Sequence, residues 1–398
     1  MDTYFENLNK KLKNYQRAIP CLLVDLDVLD KNINTLQSNL RPNADLRIVV
    51  KSLPSLDLID YILQKINTHK LMVFHQPFLT DLASKLDNEK DVLLGKPMPI
   101  KTAEYFYQNL PQQTNEFNPY TQIQWLVDTK ERIQEYIHLA KQLQQKIRLN
   151  IEIDVGLHRG GFSSLELLKE GLELIKENSN FIEFSGYMGY DPHVVKLPKI
   201  ILSEKKALKK ANEFYKQCKN EVQQNFPSLW KENLTFNGAG SPTLNLHKTK
   251  ESPINDIAIG SCFVKPTTFN IPSLEEFHSA AFIATPILKK FKNTTIPGIE
   301  KFKSLLNFIN PINKQSYFIY GGYWKASYYY PKGIKENSLF GHSTNQTMIN
   351  ASKKINLKID DFVFLKPQQS EFVFLQFGEI LPIRNGKILK AWQLLKNK

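Results

Sequence analysis

The sequence predicts an α/β protein in which a (β/α)8 TIM-like barrel is followed by a C-terminal antiparallel β domain. Apolar, strand-like runs alternate with amphipathic stretches eight times, which is the number of rounds that a closed barrel of parallel strands requires. After about residue 275 this alternation gives way to short, aromatic-rich segments that indicate hairpins. We therefore expect a barrel over 20–275 and a β domain over 276–398, with an N-terminal segment over 1–19 that packs outside the barrel.

The eight predicted barrel strands are short runs rich in aliphatic residues. They cover 46–50, 70–74, 91–94, 123–127, 147–155, 182–188, 233–236 and 257–264. Helices are predicted between them because apolar residues recur there every three or four positions. These stretches include 55–65, 101–109, 130–144, 165–177 and 203–225, and a further helical pattern covers 4–17.

In the β domain, strands are predicted wherever short aromatic or branched runs meet turn signals. The runs are 278–287, 317–330, 354–359, 362–365, 372–377 and 380–388. Asn385-Gly386 inside the last run is a strong hairpin-turn signal.

The amino-acid composition limits the classes of function that the protein can have. A chain of 398 residues with 42% hydrophobic content can bury two cores. Its longest apolar runs fall short of the roughly 20 residues that span a bilayer, and charged residues interrupt the first 13 residues where a signal peptide would be apolar. Three dispersed cysteines suit neither a disulfide framework nor a zinc site of paired cysteines. We expect a cytoplasmic protein without a membrane partner.

The formal net charge of +13 does not predict nucleic-acid binding. The lysines are spread along predicted helices, with acidic residues among them, rather than gathered in one patch. A basic surface of this kind favours anionic small molecules.

Lys51 is the first candidate for chemistry. It directly follows the strand-like run 46–50 and precedes the breaker sequence Ser52-Leu53-Pro54, so it is predicted at a strand end, where barrels carry their active sites. Burial lowers the pKa of a lysine and leaves a nucleophilic amine that can form a Schiff base with an aldehyde. The alternative is a strand-end lysine whose ammonium reaches the solvent.

Arg159 lies in a glycine-rich loop, 156–161, that follows the fifth predicted strand. A guanidinium at this position can donate to a phenolic or carboxylate oxygen with a geometry that lysine cannot match. The alternative is a surface arginine in an ordinary loop. Asp154, just before the loop, is expected to organise its backbone.

Tyr190 and His193 follow the sixth predicted strand and are expected at the same rim of the barrel. Either side chain could contact a bound ring or a substrate, which makes His193 a candidate catalytic residue. A structural role for the histidine is the alternative.

The loop after the seventh predicted strand, 237–243, is made of small residues. Backbone N–H groups of Gly238, Ala239, Gly240 and Ser241 can form an anion nest, and barrels commonly bind phosphate in loops after strands seven and eight. The spacing matches neither the dinucleotide fingerprint nor a nucleotide P-loop, and an ordinary turn is the alternative. The chain thus presents, in sequence order, an amine, a cation and a loop that can bind phosphate. This order matches a binding site for pyridoxal 5′-phosphate, a cofactor that acts as an electron sink for carbanion chemistry.

In its motifs the chain resembles the pyridoxal-phosphate barrel enzymes of fold type III, which are related to alanine racemase. It is most similar to the branch that holds D-threonine aldolase and eukaryotic-type D-serine dehydratase. The motifs are 20–27 with Asn32-Ile33, Lys51, 154–161, Gly186 with Tyr190 and His193, and 238–243. The resemblance implies that Lys51 forms the Schiff base and is a base on one face of the substrate. It also implies that Arg159 contacts the phenolic oxygen, that Tyr190 lies near the ring, that 238–241 binds the phosphate and that the protein is a homodimer.

The sequence departs from that branch in the C-terminal domain. The aldolases and dehydratases carry a histidine and then a cysteine or aspartate that bind a divalent metal, whereas this chain has Gln369 and Glu371 after Pro367. An amide and one carboxylate make a poor zinc site, so the pattern disfavours a metal. Gln369 and His342 are instead candidate substrate-binding residues, and Glu371 is a candidate acid or base.

The sequence therefore predicts a pyridoxal-phosphate-dependent lyase of the D-threonine aldolase or D-serine dehydratase type, acting on a D- or β-hydroxy amino acid. An amino-acid racemase of the alanine type is the first alternative, and tyrosines in 317–330 could supply its second base. A non-catalytic pyridoxal-phosphate-binding protein is the second alternative, against which the large C-terminal domain argues.

Overall fold

The computed structural model describes residues 2–41, 44–110, 116–196, 198, 200, 203–295, 298, 300–302, 311–338 and 340–396. They form two compact units. The barrel unit takes 33–262 and 271–274 together with the C-terminal end from 395, and the sheet unit takes 1–32, 263–270 and 275–394.

The chain begins with helix α1 (Asp2–Lys13), strand β1 (Cys21–Asp25) and helix α2 (Leu26–Ser38). The three central residues of β1 are fully buried, as expected of an uninterrupted aliphatic run. The Asp25 carboxylate then accepts the N–H groups of Asp27 at 2.9 Å and Val28 at 3.0 Å, so this aspartate caps the first turn of α2.

Eight parallel strands close into a barrel, which confirms the predicted (β/α)8 fold. The strands are β2 (Asp45–Val49), β3 (Lys70–Val73), β4 (Asp91–Leu94), β5 (Ile123–Val127), β6 (Ile147–Glu152), β7 (Ile182–Gly189), β8 (Thr235–Gly238) and β9 (Asp256–Ile259). Each strand pairs with the next one along the chain, and β2 closes the barrel on β9 with Leu46 opposite Ile257.

Helices follow the barrel strands along the chain. They are α3 (Leu56–Ile66), α4 (Gln76–Ala83), α5 (Ile100–Gln108), α6 (Pro119–Gln122), α7 (Lys130–Leu143), α8 (Leu165–Glu177), α9 (His193–Lys196), α10 (Glu204–Asn225) and α11 (Ser261–Val264). The side chains of Thr129, Ser164 and Ser203 cap α7, α8 and α10 by accepting backbone N–H groups of the first turn. Within the described residues, every helix is too short or too polar to cross a bilayer.

A buried ion cluster lies inside the barrel, near the beginnings of the strands. Arg47 of β2 is fully buried and donates to both carboxylate oxygens of Asp256 in β9, at 2.9 and 2.8 Å. Its Nη2 atom also lies 2.8 Å from Oδ1 of Asp91 in β4. Since alternate residues of a strand share a face, these three side chains mark the inward-pointing positions of their strands.

The sheet unit contains the β-rich C-terminal part of the chain. Its elements are β10 (Ala281–Lys292), β11 (Gln315–Tyr320), β12 (Ala326–Tyr330), β13 (Lys335–Glu336), β14 (Gln346–Ala351), β15 (Phe362–Pro367), α12 (Ser370–Phe374), β16 (Glu379–Arg384), β17 (Lys387–Ile388) and β18 (Trp392–Gln393). The main path through the sheet runs β13-β14-β11-β10-β1-β16-β17, with β1 antiparallel to β10 and parallel to β16. Phe5, Leu8 and Leu12 of α1 belong to the core beside this sheet.

Two of the strands predicted in this region are wrong. Residues 354–359 form no strand, and 372–377 begins inside helix α12, where Val373 and Phe374 are both buried while Phe372 is exposed. Adjacent buried residues suit a helix and not the alternation of a strand. The predicted turn at Asn385-Gly386 is confirmed: both residues have positive φ, 49° and 64°, and they join β16 to β17.

Candidate active site

The ends of the barrel strands carry most of the residues that the sequence singles out. Lys51, Gly95 and Gly260 each stand four positions after an inward-pointing member of the buried ion cluster. Strand periodicity therefore places them around the mouth of the barrel, at the carboxyl ends of β2, β4 and β9.

Lys51 lies in a short 3-10 turn after β2 and is half-buried. Its Nζ atom is 4.2 Å from the centre of the Phe74 ring, which follows β3. That ring covers Gly95, where a Cβ atom would approach Phe74 Cζ to 2.2 Å. Glycine at position 95 thus leaves room for the aromatic surface that holds the ammonium group at the mouth.

Hydrogen bonds connect the Lys51 turn with the glycine-rich loop after β8. The hydroxyl of Ser52 lies 3.2 Å from that of Ser261, at the start of α11. The next residue, Cys262, donates its backbone N–H to Ser241 Oγ at 3.1 Å. The Lys51 turn follows β2 and the glycine-rich loop follows β8. The turn after β9 therefore lies between them.

The glycine-rich loop itself is tightly folded. Ala239 adopts a left-handed conformation, with φ at 59°, and the Gly240 carbonyl accepts the N–H groups of Thr243 at 3.0 Å and Leu244 at 2.9 Å. A Cβ atom at Gly240 would lie 2.9 Å from Cε2 of Tyr190. The absence of a side chain at position 240 therefore lets the Tyr190 ring pack against the loop backbone.

Asp154 organises the loop that carries Arg159, as the sequence suggested. Its Oδ1 atom accepts the N–H groups of Gly156 at 3.0 Å and His158 at 2.9 Å, and Oδ2 lies 2.8 Å from His158 Nδ1. Burial alone would raise the pKa of Asp154, but these hydrogen bonds outweigh it and hold the pKa below its ordinary value.

Arg159 is exposed at the rim, with its Cζ atom 5.3 Å from the centre of the Tyr190 ring. Tyr190 thus lies close to both the Arg159 guanidinium and the backbone of Gly240. Arg159, Tyr190 and the glycine-rich loop form a continuous surface across the ends of β6, β7 and β8.

His193 is the first residue of α9 and only 9% exposed. Among the described residues, none offers its Nδ1 atom a hydrogen bond, although the atom is buried. Its Nε2 atom faces Gly156, where a Cβ atom would lie 3.1 Å away. Burial lowers the pKa of His193, which favours the neutral imidazole.

A buried hydrogen-bond network, which the sequence reasoning missed, supports the glycine-rich loop from below. Asp191 accepts the Thr243 hydroxyl at 2.8 Å and lies 2.7 Å from His247 Nε2. His247 Nδ1 in turn lies 2.7 Å from Ser252 Oγ. All four side chains are buried, which suits a scaffold that fixes the end of the loop.

The remaining predicted residues lie in the sheet unit. Gln369 precedes α12 and accepts a hydrogen bond from Lys325 Nζ at 2.6 Å, while Glu371 is half-buried in the first turn of α12. His342 is exposed, with Nδ1 2.7 Å from Glu336 Oε1. Across the described parts of the chain, no three or more histidine, cysteine, aspartate or glutamate side chains are grouped so as to hold a metal ion.

The structure therefore brings together Lys51, Arg159, Tyr190, His193 and the glycine-rich loop within the barrel unit. Sequence reasoning missed Phe74 and Ser261, because both lay inside the predicted strands 70–74 and 257–264, whereas the observed strands end at Val73 and Ile259. Extending the inward-pointing alternation past each strand end would have found Phe74, which lies two positions after Met72.

Comparisons with known proteins agree with this fold. Residues 24–264 match the family model for the alanine racemase N-terminal domain, and no curated protein matches the sequence. The fold is similar to that of D-threonine aldolase from Filomicrobium marinum, with a TM-score of 0.71 and 14% identity over 95% of this chain and 97% of the other. D-threo-3-hydroxyaspartate dehydratase from Delftia sp. HT23 gives 0.70 and 12% over 96% and 99%. An alanine racemase from Bacillus anthracis gives 0.69 and 14% over 95% and 98%. At these identities the likeness shows the fold.

Proposed function

Because the chain belongs to the alanine racemase N-terminal domain family, whose members use pyridoxal 5′-phosphate, we propose that it is a pyridoxal-phosphate-dependent enzyme acting on an amino acid. The observation that carries the proposal is the order of groups around the barrel mouth. The amine of Lys51, the guanidinium of Arg159 and the backbone of 238–241 match the aldehyde, the phenolic oxygen and the phosphate of the cofactor.

The residues at the mouth fit this cofactor in three respects. Residue 240 is a glycine, so the Tyr190 ring keeps its place; a Cβ atom at this position would displace the ring. Ser241 accepts a hydrogen bond from Cys262, so its own O–H can donate to a phosphate oxygen. The buried Nδ1 atom of His193, which lacks a partner among the described residues, can accept or donate a hydrogen bond to a bound group.

When bound, the cofactor supplies an electron sink for a carbanion at the α-carbon of the substrate. The protein contributes binding, orientation and proton movement. Lys51 Nζ would hold the cofactor at its aldehyde carbon and would move a proton at the substrate. Arg159 would donate a hydrogen bond to the phenolic oxygen and favour its deprotonated form. The loop 238–241 would hold the phosphate through backbone N–H groups.

For the reaction, we infer a lyase of the aldolase or dehydratase type that acts on a D- or β-hydroxy amino acid. The motifs of the chain favour that branch, and D-threonine aldolase and D-threo-3-hydroxyaspartate dehydratase are among the proteins with its fold. Lys51 supplies the one base that cleavage at the β-carbon requires, and Glu371 is our candidate for a second acid or base. A racemase must place its second base on the opposite face of the substrate.

The reaction class is tested by incubating the protein, loaded with pyridoxal phosphate, with D- and L-alanine, D-serine, D-threonine and D-3-hydroxyaspartate. We expect glycine and an aldehyde, or a 2-oxo acid and ammonia, from a D-β-hydroxy amino acid. Inversion of alanine without these products would contradict the lyase and establish a racemase. Cofactor binding without turnover of any amino acid would contradict an enzymatic function.

Replacing His247 by phenylalanine is expected to weaken cofactor binding without removing a group that touches the cofactor. The change leaves one oxygen of the buried Asp191 unpaired, which costs about 1–3 kcal/mol, and it loosens the loop through Thr243. A loss of roughly 1.4 kcal/mol in binding corresponds to a tenfold rise in Kd. Titration of the visible cofactor band measures it.

His138→Phe is the matched control, because His138 is exposed on α7. It should leave Kd for pyridoxal phosphate unchanged. Equal Kd values for the wild type and His247→Phe would show that the Asp191 network does not support the glycine-rich loop.

A further inference from the structure

The turn that carries Lys51 is short and makes few hydrogen bonds of its own. Val50 to Ser52 form a single 3-10 turn, and the Leu53 N–H donates to the Val50 carbonyl at 3.0 Å. The Ser55 N–H then donates to the Leu53 carbonyl at 2.7 Å, directly before α3 begins. Hydrogen bonds of a 3-10 turn are poorly aligned, so contacts from outside decide whether such a turn keeps one conformation.

The Pro54 carbonyl is one group through which this turn is held from outside. Proline has no N–H, so the carbonyl is the one hydrogen-bonding group that its backbone offers. Helix α3 begins two residues later, with the Ile59 N–H donating to the Ser55 carbonyl at 3.0 Å, so Pro54 lies outside the helix. The Pro54 carbonyl instead accepts the backbone N–H of Leu395 at 2.8 Å. Because Pro54 is buried, loss of this partner would leave a polar group without its hydrogen bond.

Leu395 follows β18 by two positions and belongs to the barrel unit. Its side chain is only 4% exposed. The next residue, Lys396, donates its backbone N–H to Oδ2 of Asp81 in α4 at 3.3 Å. The segment 395–396 is therefore held by two backbone hydrogen bonds and by a buried leucine side chain, whose removal from water is favourable.

The Lys51 turn is thus fixed at two places within the barrel unit. At the first, the Ser52 hydroxyl lies 3.2 Å from that of Ser261, and a Cβ atom at Gly260 would approach Ser52 Cβ to 2.9 Å, so the turn after β9 packs closely against it. The second is the bond from Leu395, two residues further along. The position of the amine therefore depends on the segment 395–396 as well as on the neighbouring strand end.

We propose that Leu395 is a positioning residue for Lys51: its backbone N–H and its buried side chain hold the turn so that the amine stays at the barrel mouth beside Phe74. The inference rests on the proposed function, because the amine has to meet the aldehyde of pyridoxal phosphate at that place. Leu395 acts through the turn, so no contact between the leucine and the cofactor is required.

The anchoring is tested on the protein without cofactor, by hydrogen exchange followed by mass spectrometry. Leu395→Ala removes most of the buried side chain and should speed exchange in the peptide that contains Leu53 and Ser55 about tenfold. Leu395→Met, which has nearly the same volume, should restore the wild-type rate. Leu395→Pro, which lacks the N–H, should speed exchange in the same peptide. Equal rates in this peptide for wild type and Leu395→Ala overturn the proposal.

Leu139→Ala is the matched control for the loss of a buried leucine. Leu139 lies in α7, between β5 and β6, and is 3% exposed. Its truncation leaves a similar cavity in the same unit but in a different helix. Exchange in the peptide of the Lys51 turn should stay at the wild-type rate. If Leu139→Ala speeds exchange there as much as Leu395→Ala does, the effect is a general loss of stability and the proposal fails.

The consequence for the cofactor is tested by titrating each protein with pyridoxal phosphate and following the visible band. Leu395→Ala should raise Kd roughly tenfold, whereas Leu395→Met and Leu139→Ala should bind like wild type. A Kd for Leu395→Ala equal to that for Leu139→Ala overturns the positioning role. If wild type fails to bind pyridoxal phosphate while the exchange rates change as expected, the proposed function fails and the anchoring of the Lys51 turn by Leu395 stands.

Discussion

Replacing Lys51 by alanine is expected to abolish the visible cofactor band and to reduce turnover by about 10⁴-fold or more. The amine is the group in our proposal that both binds the cofactor aldehyde and moves a proton at the substrate, so its loss removes two contributions at once. Absorbance spectra after addition of pyridoxal phosphate, followed by borohydride treatment, measure the first effect. Product formation from the best substrate of the panel measures the second.

The Lys51→Arg variant distinguishes the reaction of the amine with the aldehyde from the contributions of its positive charge and its packing. Arginine retains a cation that can stack on Phe74, yet its guanidinium does not condense with the aldehyde, so this variant should fold normally and lose the band as completely as alanine does. Lys65→Ala is the matched control, because Lys65 is exposed and stacks on Tyr61 in α3. A visible band that persists in Lys51→Arg and vanishes on borohydride treatment would contradict the assignment of Lys51.

The barrel could be predicted from the sequence because each step of the prediction uses residues that are close together along the chain. Alternation of apolar strands and amphipathic helices sets the fold class, and the residue beyond each strand end is found by counting along the chain. This reasoning located Lys51, Arg159 and the loop at 238–241 on the strand-end face where the structure has them.

The same reasoning could not predict contacts between residues far apart in sequence, nor the secondary structure of short apolar runs. Asp191 and His247 are 56 residues apart, and no periodic pattern connects them, so their hydrogen bond became visible only in the folded chain. The run at 372–377 is too short for periodicity to distinguish a buried helix from a strand.

The inward-pointing positions of the barrel divide into two functional levels. Near the strand beginnings, Arg47 pairs with Asp91 and Asp256, which also lie 3.1 Å from Arg148 and 3.3 Å from Lys70 respectively, whereas the strand ends carry groups such as Lys51. A closed ion cluster below the mouth fixes the spacing of β2, β4 and β9. The positions of the reactive groups above it therefore depend on this cluster, although it contributes no chemistry.

Replacing Arg47 by methionine is expected to lower the free energy of unfolding by about 3–5 kcal/mol, because it leaves Asp256 buried without its bidentate partner. Replacing both residues, as Arg47→Met with Asp256→Leu, should recover much of this loss, since a buried pair exchanged for apolar groups is often neutral. Urea unfolding followed by circular dichroism measures the three proteins. Lys130→Met, which breaks the exposed pair with Glu170, is the control and should change stability by about 1 kcal/mol or less.

Acid titration distinguishes lost charge pairing from lost packing. Burial alone would raise the pKa of both acids, but the cations around them outweigh it, Arg47 most of all, with Arg148 beside Asp91 and Lys70 beside Asp256. The pKa of Asp91 falls to about 2, and that of Asp256 also lies below its ordinary value. A carboxyl group with a lowered pKa stabilises the fold above its ordinary pKa of about 4, and this contribution disappears as the pH falls through the folded value. The stability difference between wild type and Arg47→Met should therefore shrink between about pH 4 and 2. A difference that stays constant over this range would mean that Arg47 acts through packing and not through its ion pairs.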